Sequence, residues 1–283
     1  MTETITQRID AVTKIPGTSM GNTASPTVGD EPMIPVFIGY DRRETIAWSV
    51  LAHSLLRHSS LPLAITPVGN DVLPAGLWWR KRAAVDSTDF SNARFIVPAL
   101  CDWRGWAIFL DCDMVCLGDL AELWRQRDPR YAVQVVKHDH RPRETSKFLG
   151  ATQAAYPRKN WSSLMLLNCA HPAMLDLNAN ERPGLDLHGF GWCPDEAVGE
   201  IRGLWNVLAT DRYEHPEPVE RESIRLLHYT LGGPWHGYRP PGARHWWAAL
   251  SDMLAGGNPC ARSGWTFDAD RSRIDAEYRH APA

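Results

Sequence analysis

The stretch Ile108-Phe109-Leu110-Asp111-Cys112-Asp113-Met114-Val115 decides the fold class. Trp106 to Leu110 is an unbroken apolar run without alternation, which points to a strand buried on both faces, as in α/β proteins. Two carboxylates follow at its end. Ligands of open α/β sheets bind outside the carboxyl ends of the strands, where Asp111 and Asp113 can converge on one divalent cation. Mg²⁺ and Mn²⁺ prefer oxygen ligands and can bridge carboxylates to a diphosphate. Two unpaired buried carboxylates would be costly, so a cation or basic partners should accompany them. A bare D-x-D can also be a solvated turn. The five apolar residues before it, and a second acidic turn at Gly118-Asp119-Leu120, favour metal.

Other elements fall into place around this strand. Ile34 to Gly39 reads as a buried first strand, and Glu44 to Leu56 as a helix with Ile46, Val50, Leu51 and Leu55 inward. Leu63 to Val68 is a second strand, and Gly69 to Phe90 a long functional loop with a short helix. Further helices are expected from Ser91 to near Pro98, Leu120 to Arg127, His171 to Asn180, Asp195 to Arg202 and Arg244 to Leu254. Further strands are expected at Tyr131 to Val136 and Leu164 to Leu167. The alternation predicts a single α/β domain over residues 33–255, with a mostly parallel central sheet flanked by helices. Residues 1–32 lack aromatic side chains and read as a flexible tail; 256–283 read as a charged extension, and 212–222 as a polar connection.

Composition narrows the function classes. The 283 residues carry a formal net charge of −3, which gives no general reason to expect nucleic acid. No apolar run has the length of a membrane span, and the start MTETITQRID does not read as a secretory signal. None of the six cysteines forms a C-x-x-C pair, so a reduced cytoplasmic setting is expected. The 13 tryptophans exceed what a core of this size demands, and their flat faces suit sugars or bases.

Two enzyme classes place D-x-D at a strand end. Haloacid-dehalogenase-like phosphatases use D-x-D-x-[TV], which Asp111 to Val115 fits, with Asp111 as nucleophile. That motif normally opens its fold, whereas here a strand–helix–strand unit precedes it. A non-catalytic carbohydrate-binding module is a third reading.

The sequence resembles the family 8 retaining glycosyltransferases of the GT-A fold, among them glycogenin and bacterial lipopolysaccharide galactosyltransferases. The similarity runs from Ile34 to Tyr238 and is strongest to a bacterial subgroup with N-W-S-S and H-Y-T-x-G-G-P-W. The resemblance implies transfer of a hexose from a nucleotide diphosphate sugar, UDP-linked, to an unidentified acceptor. It implies that Gly39, Tyr40 and Asp41 contact base and ribose, that Arg94 approaches the donor, and that Asp111, Asp113 and His228 hold Mn²⁺ or Mg²⁺. Cys112, Ser162, Ser163, Gly232 and Gly233 join the donor site; the two glycines let backbone N–H groups approach phosphate. Asp195 becomes the carboxylate for the sugar or the reacting face, with a helix-cap role as its alternative.

Departures from the family pattern are specific. Its Lys before Pro-Trp is Gly233 here, leaving Arg94, Arg80, Lys81 or Arg239 as candidate cations for the leaving diphosphate. Asn160 is shifted by one position from the family's sugar-binding Asn. The basic stretch Lys137 to Lys159 reads as a solvated loop or an acceptor-facing lid, and His138-x-His140 lacks a third zinc ligand. Trp106, Trp124, Trp205, Trp246 and Trp247 read as packing; Trp78, Trp79, Trp161 and Trp192 are candidate walls for sugar or acceptor.

Overall fold

A computed structural model describes residues 33–84, 86–138, 158–210 and 224–256. The expected tail, the 212–222 connection, most of the basic stretch with His140, and all but the first residue of the charged extension lie outside them. In chain order the elements are β1 (Ile34–Gly39), α1 (Thr45–His58), β2 (Leu63–Val68), α2 (Val97–Leu100), β3 (Trp106–Leu110), β4 (Met114–Cys116), α3 (Leu120–Trp124) and β5 (Val133–Val135). There follow β6 (Leu164–Asn168), α4 (Gly184–His188), β7 (Val198–Glu200), β8 (Val207–Leu208), β9 (Leu226–His228) and α5 (Ala243–Leu254).

The main sheet has six strands in the order β2-β1-β3-β6-β5-β7. Only β6 is reversed, antiparallel to both β3 and β5. The sheet is therefore mostly parallel, as the apolar runs require: all of Ala107 to Leu110 and all of β6 are buried. The reversal has a consequence for function. Because Leu110 pairs with Leu164, the turn that starts β6 meets the carboxyl end of β3, where Asp111 begins. Pro35 sits in an interior strand without harm. It pairs only with Ala64 of β2, since the ladder to β3 starts one residue later at Val36.

A second sheet, β4-β9-β8, was not foreseen in the sequence. Met114 pairs with His228 across it, joining segments more than a hundred residues apart. Helix α5 closes this side through Trp246, which is buried as expected, and Asp252 meets Nε2 of His53 on α1 at 2.8 Å.

Several local expectations need correction. Helix α1 buries Val50, Leu51 and Leu55 as expected, but Ile46 is exposed and Ala47 takes its place on the inward face. Pro98 does not end a helix. It occupies the first turn of α2, where a missing N–H costs nothing. The 171–180 segment is helical only as a 3₁₀ turn at Pro172–Asp176. Asp195–Ala197 is another 3₁₀ turn, after which β7 pairs with β5 in place of the expected helix to Arg202. Among the described residues of 69–90 there are turns and no helix.

Phe109 is wholly buried at the centre of β3, opposite Met165 and beneath the guanidinium of Arg94. Phe109→Ala should lower unfolding free energy by about 3–5 kcal/mol in urea titration. A loss below about 1 kcal/mol would contradict the packing described.

Candidate functional site

The buried run of β3 stops at Leu110, and the chain turns through Asp111-Cys112-Asp113 into β4. Two backbone bonds fix this turn: the Asp111 N–H donates to Ser163 O at 2.9 Å, and the Asp113 carbonyl accepts from Tyr229 N at 2.8 Å. The first neighbour belongs to the turn before β6, the second follows β9. Asp111, Asp113 and His228 thereby converge, with one ligand atom from each lying within 4.8 Å of the others. Nε2 of His228 is 3.2 Å from Asp113 Oδ1. The carboxylates keep 13% and 15% side-chain exposure, which leaves room for further ligands, whereas His228 is buried.

A buried histidine needs its other nitrogen satisfied, and the partner is Asn206. The amide of Asn206 donates to Asn160 O at 3.2 Å and to Ser163 Oγ at 2.9 Å. Its oxygen is therefore left to accept from Nδ1–H of His228, at 2.8 Å. That fixes the tautomer with the lone pair on Nε2, facing Asp113, the arrangement a metal-ligating histidine requires. Asn206 is wholly buried in the left-handed region at φ 55°, a conformation Asn tolerates better than most residues. The sequence reading missed it; a lone Asn between Trp205 and Val207 carries no spacing signal. Two oxygen donors and one imidazole fit Mn²⁺ or Mg²⁺.

Arg94 is buried and committed. It donates to Ser91 O and Ser162 O, lies over the rings of Phe90 and Phe109, and meets Asp111 Oδ1 at 2.7 Å. Ser162 and Ser163 act as struts: Ser162 Oγ bonds His188 Nδ1, and Ser163 Oγ donates to Asn160 O. Asn160 also accepts from Thr230 Oγ1. The turn 158–163 is thus tied to Asp111, His228 and the segment after β9 together.

At the end of β1, Gly39 lies under the Phe90 ring, which occupies the space a Cβ would need. Tyr40 packs edge-on against Trp48. Asp41 is buried, capping the 3₁₀ turn Arg42–Glu44 and accepting from Arg43 and from the Asp89 N–H. Burial works to raise its pKa, yet those hydrogen bonds prevail and hold it below the usual carboxylate range. Glu44 is the opposite case. It is buried beside the site, and burial together with the charge of Asp113 pushes its pKa up to about 8. It too was missed in the sequence.

After β9 the chain runs through Gly232 and Gly233 into a 3₁₀ turn, Pro234–His236. Gly232 takes φ 125°, which favours glycine. At Gly233 the indole of Trp235 fills the place of a Cβ, so a lysine there would require the indole to move. Of the candidate replacement cations, Arg80 is bound to the carbonyls of Ala179 and Arg182, and Arg94 to Asp111. Asp195 is 79% exposed and caps no helix; Pro194 holds the cap position, and Arg158 meets Asp195 at 2.6 Å. That hydrogen bond keeps its carboxyl below the usual range. Two of the proposed aromatic walls are core instead: Trp78, whose N–H reaches Asn70, and Trp192 are both buried. Trp79 is exposed, and Trp161 lies half-buried under Lys137 and Arg158.

No family model matches the chain. It is 44% identical over 207 residues to Protein CDI of Arabidopsis thaliana, covering 71% of this chain and 78% of that protein. The chain belongs to the Protein CDI family. Solved structures share its fold at low identity. The apo bifunctional glycosyltransferase WbbM is 17% identical with a TM-score of 0.54, over 84% of this chain and 53% of its own. GlyE of Streptococcus pneumoniae TIGR4 is 15% identical with a TM-score of 0.51, over 80% of this chain and 64% of its own. An active-site mutant of LgtC is 12% identical with a TM-score of 0.51, over 77% of this chain and 96% of its own. The chain thus spans about half the length of WbbM and somewhat under two thirds of GlyE. The fold is of the GT-A type, as expected.

Removing the partner of His228 should loosen the site without touching a ligand. Asn206→Ala should weaken Mn²⁺ binding about 10–100-fold in calorimetric titration. An unchanged affinity would show that the imidazole needs no such support.

Proposed function

We propose that this protein transfers a hexose from a nucleotide diphosphate sugar, UDP-linked, to an acceptor, with a divalent metal and with retention of configuration. The observation that carries the reading is the convergence of Asp111, Asp113 and His228 at the carboxyl edge of a GT-A-type sheet. Those three residues would hold Mn²⁺ or Mg²⁺. When bound, the ion supplies positive charge against the negative charge developing on the departing diphosphate.

The remaining roles are those the motif resemblance implies. Gly39 and Tyr40 flank the nucleotide at the end of β1, and Asp41 shapes that turn through Arg43 and Asp89. Arg94 orients Asp111 and carries part of the positive field toward the donor. Cys112, Ser162 and Ser163 form the floor between the metal and the sugar. Gly232 and Gly233 bring backbone close to the phosphates. Asp195, paired with Arg158, faces the sugar or the acceptor. Retention rests on the motif resemblance. The absence of a C-x-x-C pair and the five free cysteines among the described residues accord with a reduced cytoplasmic setting. Among the described residues no helix is long and apolar enough to cross a membrane.

With Mn²⁺ and no acceptor, the protein should slowly release sugar from one UDP-hexose of a nucleotide-sugar panel, followed by chromatography of UDP. Asp113→Ala should slow that release at least about 100-fold. Absence of turnover with every donor, or turnover of a generic phosphomonoester dependent on Asp111, would contradict the assignment.

A further inference from the structure

Asp195 is the carboxylate assigned to the sugar or the acceptor, yet on its own it has no fixed place. Its side chain is 79% exposed, and it follows Pro194 at the start of a single 3₁₀ turn. An exposed aspartate samples several rotamers, whereas a carboxylate that meets a sugar hydroxyl must be held to within about 0.5 Å. The group that reaches it is Arg158, whose Nη2 donates to Asp195 Oδ1 at 2.6 Å.

Exposed ion pairs generally contribute little, because two side chains must be ordered for one contact. Arg158 differs in being ordered already. Its side chain is only 22% exposed. Nη1 donates to Gly189 O at 3.0 Å, just past the end of α4, and the guanidinium lies 5.3 Å from the centre of the Trp161 ring. That ring is fixed in turn: its N–H donates to His138 O at 2.8 Å, and it packs against Phe190. The backbone is set as well. Arg158 and Asn160 both take left-handed conformations, at φ 61° and 64°, which non-glycine residues keep only where their neighbours over-determine them.

The same turn, 158–163, holds Asp111 through Ser163 O and reaches His228 through Asn160 and Asn206. Ser162 Oγ ties it once more to α4, at 2.7 Å from His188 Nδ1. We propose that Arg158 is a positioning residue that registers Asp195 against the cluster of Asp111, Asp113 and His228, so that one turn places both the diphosphate and the sugar of the donor. The inference rests on the glycosyltransferase reading for its purpose and on the Arg158 contacts for its existence.

Two measurements separate these. The hydrogen bond from Arg158 holds the Asp195 carboxyl below the usual aspartate range, and carbon NMR can follow its titration. In Arg158→Ala that titration should return to the ordinary range. With Mn²⁺ and the UDP-hexose that the wild type turns over best, Arg158→Ala and Asp195→Asn should each lower kcat for sugar release about tenfold. The double variant should lose no more than either, and affinity for Mn²⁺ and for UDP should stay within about twofold throughout. An unmoved Asp195 titration, additive losses of kcat, or a loss of UDP affinity matching that of kcat would each overturn the proposal. Arg158→Gln, which keeps a donor for Gly189 O without the charge, decides the same points if Arg158→Ala fails to fold. A wild type that releases sugar from no donor, with the Asp195 titration still dependent on Arg158, would remove the glycosyltransferase reading and leave the contact standing.

Discussion

Asp111 and Asp113 repel one another, and much of the molecule is arranged around that repulsion. Their ligand oxygens lie within 4.8 Å. At an effective dielectric of about 20 that separation costs about 3 kcal/mol or more between two full charges. Arg94 answers one carboxylate and the imidazole of His228 faces the other. Neither partner is local. Arg94 comes from the turn before α2 and His228 from the end of β9, so the whole fold is needed to assemble the site. A cation between the three would complete what the protein's own charges offset only in part.

The reversed strand β6 makes this assembly possible. Were it parallel to β3, its starting turn would lie at the opposite edge of the sheet. Instead Asn160, Ser162 and Ser163 reach the Asp111–Asp113 turn and support it from below. Asn206 then carries that support across to His228. The small sheet β4-β9-β8 does the equivalent work on the other side, since the Met114–His228 pair fixes where the imidazole starts. Backbone ladders set the positions, and side-chain amides set the orientation.

What could be read from the sequence follows from how far each signal reaches along the chain. The apolar runs of β1, β3 and β6 are local and unmistakable because both faces of each strand are buried. The paired carboxylates were legible because they follow such a run directly. His228 needed the motif around it; on its own, a histidine after Leu226-Leu227 reads as core. Asn206 had no local mark, since its role arises from contacts with residues distant in sequence. Val198–Glu200 was misread as helix because its strand character comes from pairing with β5. Trp78 and Trp192 were candidate walls that the fold buries instead, since an indole serves a core and a binding surface equally well. The tryptophan count that first suggested stacking is thus divided: several rings fill the core, while Trp79 and Trp161 remain at the surface.

The central claim is that one divalent ion sits among Asp111, Asp113 and His228 and meets a diphosphate there. Crystals grown with MnCl₂ and UDP should show, in anomalous diffraction at the manganese edge, a single strong peak at about 2.0–2.3 Å from an oxygen of each aspartate and from Nε2 of His228, in contact with the diphosphate. A peak elsewhere, or UDP bound with no peak between these three residues, would contradict the account.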